Sequence, residues 1–277
     1  MKGYDFMKTE WKMRRSRVLQ KLRAGEVALC TKMNLSDPRA VEIAAMSGFD
    51  CVWTCQEHVG NDYRVIQEQI LAAKAHDCDL LCRVPKGGYS DYIRPLELDA
   101  AGIMIPHVMS LQEAKDIVRT TRFHPVGRRP LDGGNADGKY CQVPLKDYLE
   151  QSNRERFVIL QIEDPEPLDE LDAIAALDGY DILFFGPGDF THSIGDPGNF
   201  DNPLVPETRK RIAEVANKHG KIAGTVGSLA NYRELLDLGY RFISIGADVC
   251  ALTAAYAEIV KTVAGTDVQP IKSIYSK

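Results

Sequence analysis

The sequence lacks a long hydrophobic run. No stretch of its 277 residues approaches the roughly 18 consecutive apolar residues that a membrane-spanning helix requires. The first 25 residues have no apolar central region either, so they do not have the pattern of a secretory signal. We therefore expect a cytoplasmic protein without a membrane partner.

Positive charge is not in excess. The 34 Lys and Arg residues are outnumbered by 39 Asp and Glu, which gives a net charge of −5. Nucleic-acid partners are bound by clustered cations, so an acidic chain argues against one. A single basic cluster lies near the start and is interpreted as a solvated helix face. Its members are Lys12, Arg14, Arg15 and Arg17.

The seven cysteines are odd in number and scattered, so no disulfide framework is indicated. Cys30, Cys51, Cys55 and Cys82 lie in apolar runs, where free thiols behave as small hydrophobic side chains. A zinc site would place its ligands at tight spacing on turns, and these segments have the pattern of strands. Reduced thiols are consistent with the cytoplasm.

Short apolar runs alternate with helical segments along the chain. Eight runs are strand candidates, at 27–31, 51–55, 80–84, 102–106, 157–163, 181–186, 221–226 and 242–246. Their nearly continuous apolarity is typical of strands buried on both faces of a parallel sheet. Helix signals lie between them, such as Pro38 at a first helical position and the capping box of Ser110 and Glu113. The order predicts an α/β fold, a (β/α)8 TIM barrel, with its functional residues at the carboxyl ends of the strands.

We expect one barrel domain over residues 1–277. Residues 1–25 are predicted to form an N-terminal helical extension. Residues 123–156 are predicted to form a loop-and-helix insertion between strands four and five. A loop this long in a compact domain is usually functional or disordered, so we expect the insertion to lie near the active site.

Acidic residues follow two neighbouring strands. Glu163 ends the fifth strand, and Asp189 comes just after the sixth. Two carboxylates that converge with open coordination positions suit a hard, oxygen-seeking divalent ion. The alternative is that Glu163 caps the next helix and Asp189 is a turn residue.

A histidine and an arginine stand at two other strand ends. His58 is a candidate general base, because its ordinary pKa lies near neutrality. Arg83 can bind a carboxylate through two parallel hydrogen bonds. With the carboxylates, they describe a site for enolising a 2-oxo acid. A Schiff-base mechanism is disfavoured, because none of strands five to eight has a lysine at its carboxyl end.

Residues 160–198 resemble the metal and substrate segment of the HpcH/HpaI aldolases, the class II pyruvate aldolases. The family pattern is a Gln-x-Glu strand, here Gln161 and Glu163, followed by a glycine-rich loop, here Gly186-Pro-Gly-Asp189 continuing to Gly195. The resemblance extends over roughly residues 20–265. It implies a metal-dependent aldolase that uses Mg²⁺, Mn²⁺ or Co²⁺.

The resemblance also implies a role for each matching residue. Glu163 and Asp189 would hold the metal, and His58 would be the base, with Glu97 as the acidic residue that supports it. Arg83 would stabilise the enolate or the keto oxygen. The pyruvate end of the substrate would be received by Gln161, Pro187, Gly188, Asp189 and Arg83. The family further implies a homo-oligomer, a hexamer or trimer, with terminal helices exchanged between subunits.

The sequence departs from the family pattern at three places, and these departures concern the aldehyde half of the substrate. Cys55 stands where the family usually has Asp, three residues before the histidine. Arg129 precedes Pro130 where the family usually has an Arg-Gly pair, and the loop at 131–140 is also unlike the usual sequence. His107 follows the fourth strand and is interpreted as a structural or supporting residue.

We predict a class II aldehyde-lyase that reversibly cleaves a 4-hydroxy-2-oxo acid. The products are pyruvate, or a close 2-oxo acid, and an aldehyde. One alternative is a citryl- or malyl-CoA-type lyase, for which Arg128, Arg129 and Lys139 would bind the coenzyme phosphates. A second is a catalytically silent barrel, which the substitution at Cys55 and the altered loop keep open.

Overall fold

The strands form a closed barrel in a computed structural model that describes residues 11–265. All eight strands are parallel, and each pairs with its sequence neighbours from β1 round to β8. They are β1 (Ala28–Lys32), β2 (Cys51–Cys55), β3 (Asp79–Arg83), β4 (Gly102–Ile105), β5 (Phe157–Ile162), β6 (Ile182–Phe185), β7 (Ile222–Gly227) and β8 (Tyr240–Ala247). The predicted (β/α)8 fold is confirmed.

Helices connect the strands, and one helix precedes β1 and another follows β8. They are α1 (Arg17–Arg23), α2 (Pro38–Met46), α3 (Tyr63–Ala75), α4 (Tyr89–Glu97), α5 (Leu111–Thr121), α6 (Leu145–Glu155), α7 (Leu171–Ala175), α8 (Pro187–Ser193), α9 (Leu204–Lys218), α10 (Tyr232–Asp237) and α11 (Asp248–Ala264). Two begin with the predicted signals, since Pro38 is the first residue of α2 and the Ser110 side chain caps α5. Within the described residues, none of these helices is long and apolar enough to cross a membrane.

Two apolar layers hold the barrel together. Side chains inside it, such as Trp53, Phe184 and Phe242, form one cluster. A larger cluster fills the space between the strands and the surrounding helices. Alternate residues of each strand serve the two layers, which explains why the strands read as unbroken apolar runs.

The N-terminal segment closes the amino end of the barrel. Helix α1 places Val18 and Leu22 in the interior cluster. Asp79, the first residue of β3, accepts hydrogen bonds from the Ser16 hydroxyl at 2.6 Å and the Val18 amide at 2.9 Å. The predicted helical extension over 1–25 is thus helical at 17–23, and its first ten residues lie outside the described residues.

The insertion at 123–156 also lies at the amino end. Lys139 Nζ is 3.4 Å from Asp99, which comes just before β4, and Arg156 pairs with the same carboxylate. The Asp137 amide donates to the Glu97 carbonyl at the end of α4 at 3.3 Å. The expectation that this insertion lies near the active site is therefore wrong, because the strand ends that carry the site are at the other end of the barrel.

Candidate active site

Glu163 is the centre of the site. It directly follows β5 and is almost completely buried. One carboxylate oxygen accepts the backbone amide of His107 at 3.0 Å, and the other accepts the side-chain amide of Gln161. A Cβ atom on Gly186 would lie 2.5 Å from that second oxygen, so this position requires glycine. Strands β5 and β6 thus hold Glu163 in one orientation.

The carboxylates of Glu163 and Asp189 lie near each other, and their surroundings favour the binding of a cation. Burial raises the pKa of Glu163 to about 8; His107 opposes the rise, and the nearby charge of Asp189, in the first turn of α8, adds to it. The Gln161 side-chain oxygen is buried without a hydrogen-bond partner among residues 11–265. A divalent cation would relieve both features, since it neutralises carboxylates and accepts oxygen ligands.

The donor set fits a metal held by few protein ligands. No group of three or more His, Cys, Asp or Glu side chains within the described ranges is arranged to hold a metal. Glu163 and Asp189 would supply the two carboxylates, and water or substrate oxygens would fill the remaining positions. Such an incomplete set is what catalysis needs, because the substrate must reach the ion.

Arg83 lines the same site. It ends β3 and is buried, with Nε 2.9 Å from a Glu57 carboxylate oxygen. Its guanidinium carbon lies 4.9 Å from the centre of the Trp53 ring. Stacking and the ion pair fix the planar group, so its charge is positioned before any substrate binds.

His58 lies at the rim, with 52% of its side chain exposed. Its Nε2 atom is 3.6 Å from a Glu57 oxygen. Burial, and then the positive charge of Arg83, lowers the pKa of His58 below its ordinary value. A histidine that is neutral at physiological pH can accept a proton, as a general base must.

Cys55 stands behind both of these residues. Its sulfur accepts hydrogen bonds from Nε and Nη2 of Arg83, each at 3.3 Å, and from the His58 backbone amide at 3.4 Å. The thiol therefore occupies the place where the family pattern has a carboxylate. Glu57 remains as the acidic partner of Arg83 and His58.

The structure does not bring Glu97 to this site. Glu97 is the last residue of α4, at the amino end of the barrel. Burial raises its pKa, and its charged neighbours are Arg129, Asp137, Asp132 and Arg94. Its placement contradicts the expectation that it supports His58.

His107 and Asp164 join the site from β4 and β5. The ring Nδ1 of His107 is 2.7 Å from Asp164, whose other oxygen accepts the Ser193 hydroxyl at 2.7 Å. The ring Nε2 lies 3.7 Å from Glu163 and 3.8 Å from Glu57. Sequence reasoning treated His107 as structural or supporting and assigned no role to Glu57 and Asp164, although each of these acids adjoins a residue that it selected.

The site opens into a small cavity of about 110 Å³. The predicted substrate residues Gln161, Pro187, Gly188, Asp189 and Arg83 all line it, as does His58. The rest of the lining is Trp53, Phe184, Gly186, Phe200 and Val226. The lining thus combines a cationic side chain, Arg83, with a carboxylate, Asp189, and several apolar side chains.

A barrel with paired carboxylates, an arginine and a histidine at its carboxyl end defines a carbon–carbon lyase that uses a metal. The sequence model of the HpcH/HpaI aldolase/citrate lyase family matches residues 33–255, and the chain belongs to this family of divalent-metal-dependent lyases. It is similar to the 5-keto-4-deoxy-D-glucarate aldolase of Enterobacter sp. (strain 638), at 32% identity over 235 residues, covering 84% of this chain and 91% of that protein.

Solved structures agree with this assignment. An HpcH/HpaI aldolase from Desulfitobacterium hafniense DCB-2 superposes with a TM-score of 0.84 at 27% identity, covering 93% of this chain and 98% of that one. The citrate synthase SbnG superposes with a TM-score of 0.82 at 27% identity, covering 89% and 97%. The prediction of a metal-dependent aldolase of this family is confirmed.

Proposed function

We propose that the protein reversibly cleaves a 4-hydroxy-2-oxo acid into pyruvate, or a close 2-oxo acid, and an aldehyde. The observation that carries this proposal is the geometry around Glu163. Gln161, Gly186 and His107 hold its carboxylate near Asp189 and next to a cavity that Asp189 and Arg83 line. We propose that Glu163 and Asp189 hold Mg²⁺, Mn²⁺ or Co²⁺.

The chain's own groups account for binding and proton transfer. When bound, the divalent ion would polarise the keto group and lower the energy of the carbanion left by cleavage. Arg83 stabilises negative charge on the same oxygen. The amides of Gly188 and Asp189, in the first turn of α8, have no acceptor within the helix and can receive the substrate carboxylate. His58 takes the proton of the 4-hydroxyl group.

The two alternatives have less support. Arg128, Arg129 and Lys139, which a coenzyme A site would use, belong to the insertion at the amino end of the barrel. Their position at the end of the barrel opposite Glu163 therefore gives no support to a thioester whose acyl group lies at Glu163. A silent barrel would have no reason to keep the Gln161 oxygen buried and unsatisfied, because that arrangement costs stability without a ligand.

Exchange of the methyl protons of pyruvate tests the proposal directly. Chelator-treated protein is given Mg²⁺, Mn²⁺ or Co²⁺ in deuterium oxide, and deuteration is followed by NMR. We expect metal-dependent exchange in the wild type, which Glu163→Gln and His58→Gln reduce at least tenfold. The control is Glu166→Gln, an exposed acid three residues away. No exchange with any of these metals, in folded protein, would refute the proposal.

We also propose a homo-oligomer, a trimer or a hexamer, assembled through α11. This helix has no buried residue, and its exposed apolar side chains are Leu252, Tyr256, Ile259, Val260 and Val263. An apolar cavity of about 500 Å³ lies beside its start, against α2. Exposed apolar surface of this kind marks an interaction site.

Light scattering after gel filtration tests the assembly. The double variant Tyr256→Asp and Ile259→Asp should give a smaller species than the wild type, and Glu258→Gln should not. An unchanged mass in the double variant would contradict assembly through α11. We further propose a cytoplasmic location, supported by the buried cysteines Cys30, Cys51, Cys55, Cys78 and Cys82, which form no disulfide.

A further inference from the structure

One buried polar group of the site cavity takes no part in the proposed reaction. The indole N–H of Trp53, in the middle of β2, has no hydrogen-bond partner within residues 11–265, although the side chain is only 2% exposed. Buried tryptophans usually find an acceptor for this group, because an unmade hydrogen bond costs free energy. Trp53 also lines the cavity that Arg83 and Asp189 line. A molecule bound in that cavity can therefore supply the acceptor.

Three neighbours of the Trp53 ring cannot accept this hydrogen bond. The Lys32 ammonium lies 5.4 Å from the ring centre, and the Arg83 guanidinium carbon lies 4.9 Å from it. Both groups are donors only. Phe184 packs edge to face against the same ring, with 5.9 Å between the ring centres, and has no polar side-chain atom. These contacts hold the ring in place and leave its N–H unsatisfied.

The lining also contains an unsatisfied acceptor, the Gln161 side-chain oxygen, which does not pair with Trp53. Both atoms are buried, and each lacks a partner within the described part of the chain. A cation at Glu163 and Asp189 would satisfy the Gln161 oxygen, because divalent cations bind oxygen atoms. The Trp53 N–H requires the opposite partner, an oxygen with an available lone pair. The substrate has such oxygens.

The surroundings of Trp53 favour an oxygen that becomes negative during the reaction. Arg83 stacks on the Trp53 ring, and in the proposed reaction Arg83 stabilises negative charge on the keto oxygen. Cations are attracted to the face of an aromatic ring, whereas the edge that carries the N–H is electropositive. A hydrogen bond from this edge strengthens as negative charge develops on its acceptor, so it stabilises the transition state more than the ground state.

We propose that Trp53 is a further catalytic residue, whose indole N–H donates a hydrogen bond to the oxygen of the 2-oxo acid that carries the enolate charge. Arg83 and Trp53 then act on one oxygen, as a stacked pair that β2 and β3 hold in place. This inference rests on the proposed aldolase function, because it assigns one more group to the enolate of that reaction.

Trp53→Phe tests the hydrogen bond, because phenylalanine keeps an aromatic ring and lacks the N–H. Two ligands are titrated by calorimetry in the presence of Mg²⁺, Mn²⁺ or Co²⁺. They are pyruvate and oxalate, a planar dianion that resembles the pyruvate enolate. We expect Trp53→Phe to weaken oxalate at least about tenfold and pyruvate less than about threefold, because hydrogen bonds to charged oxygens are the stronger ones. The matched control is Trp11→Phe, the same change at the other tryptophan, which is 46% exposed and should behave like the wild type.

Two further measurements distinguish a catalytic role from a packing role. The rate of pyruvate deuterium exchange in Trp53→Phe should fall by about the same factor as the oxalate affinity, with KM for pyruvate little changed. In Trp11→Phe, Trp53 is the sole tryptophan of the chain, so its fluorescence should change as oxalate binds, with the affinity that calorimetry gives. A residue that only packs the barrel would affect the free energy of unfolding and not the difference between the two ligands.

The outcomes separate the role of Trp53 from the reaction. Equal loss with pyruvate and oxalate, or no loss with either, would overturn the hydrogen bond to the enolate oxygen. Trp53 fluorescence that saturating oxalate leaves unchanged would overturn it as well. Failure of pyruvate deuterium exchange in a wild type that binds oxalate counts against the aldolase function instead, and the oxalate titrations still decide the role of Trp53. A wild type that binds neither ligand with any of the three metals would overturn both.

Discussion

A methyl group added at Gly186 should disable the site while leaving the barrel folded. The new Cβ would lie 2.5 Å from the Glu163 oxygen, 2.8 Å from the Gln161 nitrogen and 2.9 Å from the Glu163 Cβ. Ordinary contacts between heavy atoms measure about 3.5 Å. The Glu163 carboxylate would therefore have to move by about 1 Å, together with the amide that orients it.

A displacement of that size has a calculable effect. Misplacing a catalytic group by about 1 Å costs on the order of 100-fold in rate, which corresponds to about 2.7 kcal/mol of transition-state stabilisation. We expect Gly186→Ala to lower the kcat/KM of cleavage, and the rate of pyruvate deuterium exchange, by about this factor. Its affinity for Mn²⁺, measured by calorimetry, should fall as well.

The matched control is Gly60→Ala, because a Cβ at Gly60 meets nothing within 4 Å and its backbone is not left-handed. This variant should retain the wild-type rate and metal affinity. Circular dichroism and thermal unfolding verify that Gly186→Ala is folded. A folded Gly186→Ala protein with wild-type metal affinity and exchange rate would refute the role assigned to Glu163.

Three further predictions concern other parts of the molecule. Burial and the charge of Arg83 lower the pKa of His58 below 6.5, so its basic form persists to lower pH. Arg83→Gln should raise this pKa and move the acidic limb of the pH profile of pyruvate exchange to higher pH. A limb that does not move would contradict the assignment of His58 as the base. The Tyr148 hydroxyl donates a hydrogen bond to Asp137 at 2.8 Å inside the insertion. Tyr148→Phe should therefore lower the free energy of unfolding, measured by urea titration, by about 1–3 kcal/mol and leave turnover unchanged. A loss of turnover without destabilisation would contradict the placement of the insertion. Glu97→Gln should leave pyruvate exchange at the wild-type rate, and a tenfold loss in a folded variant would show that Glu97 acts on the site.

The barrel could be predicted because its strands accept only a narrow range of amino acids. Strands buried on both faces must be apolar at nearly every position, and this pattern located all eight within a few residues. The candidate site could be predicted because its close contacts also restrict the sequence. Gly186 has no room for a side chain, and the Gln161 side-chain amide donates a hydrogen bond to the Glu163 carboxylate.

The misplaced residues share one physical explanation. In a (β/α)8 barrel, every connection from a helix to the next strand lies at the amino end, whatever its length. Glu97 ends α4, and residues 123–156 run from the end of α5 to the start of β5, so chain order alone assigns both to the face opposite the site. Loop length was therefore the wrong signal, because it carries no information about which end of the barrel a loop covers.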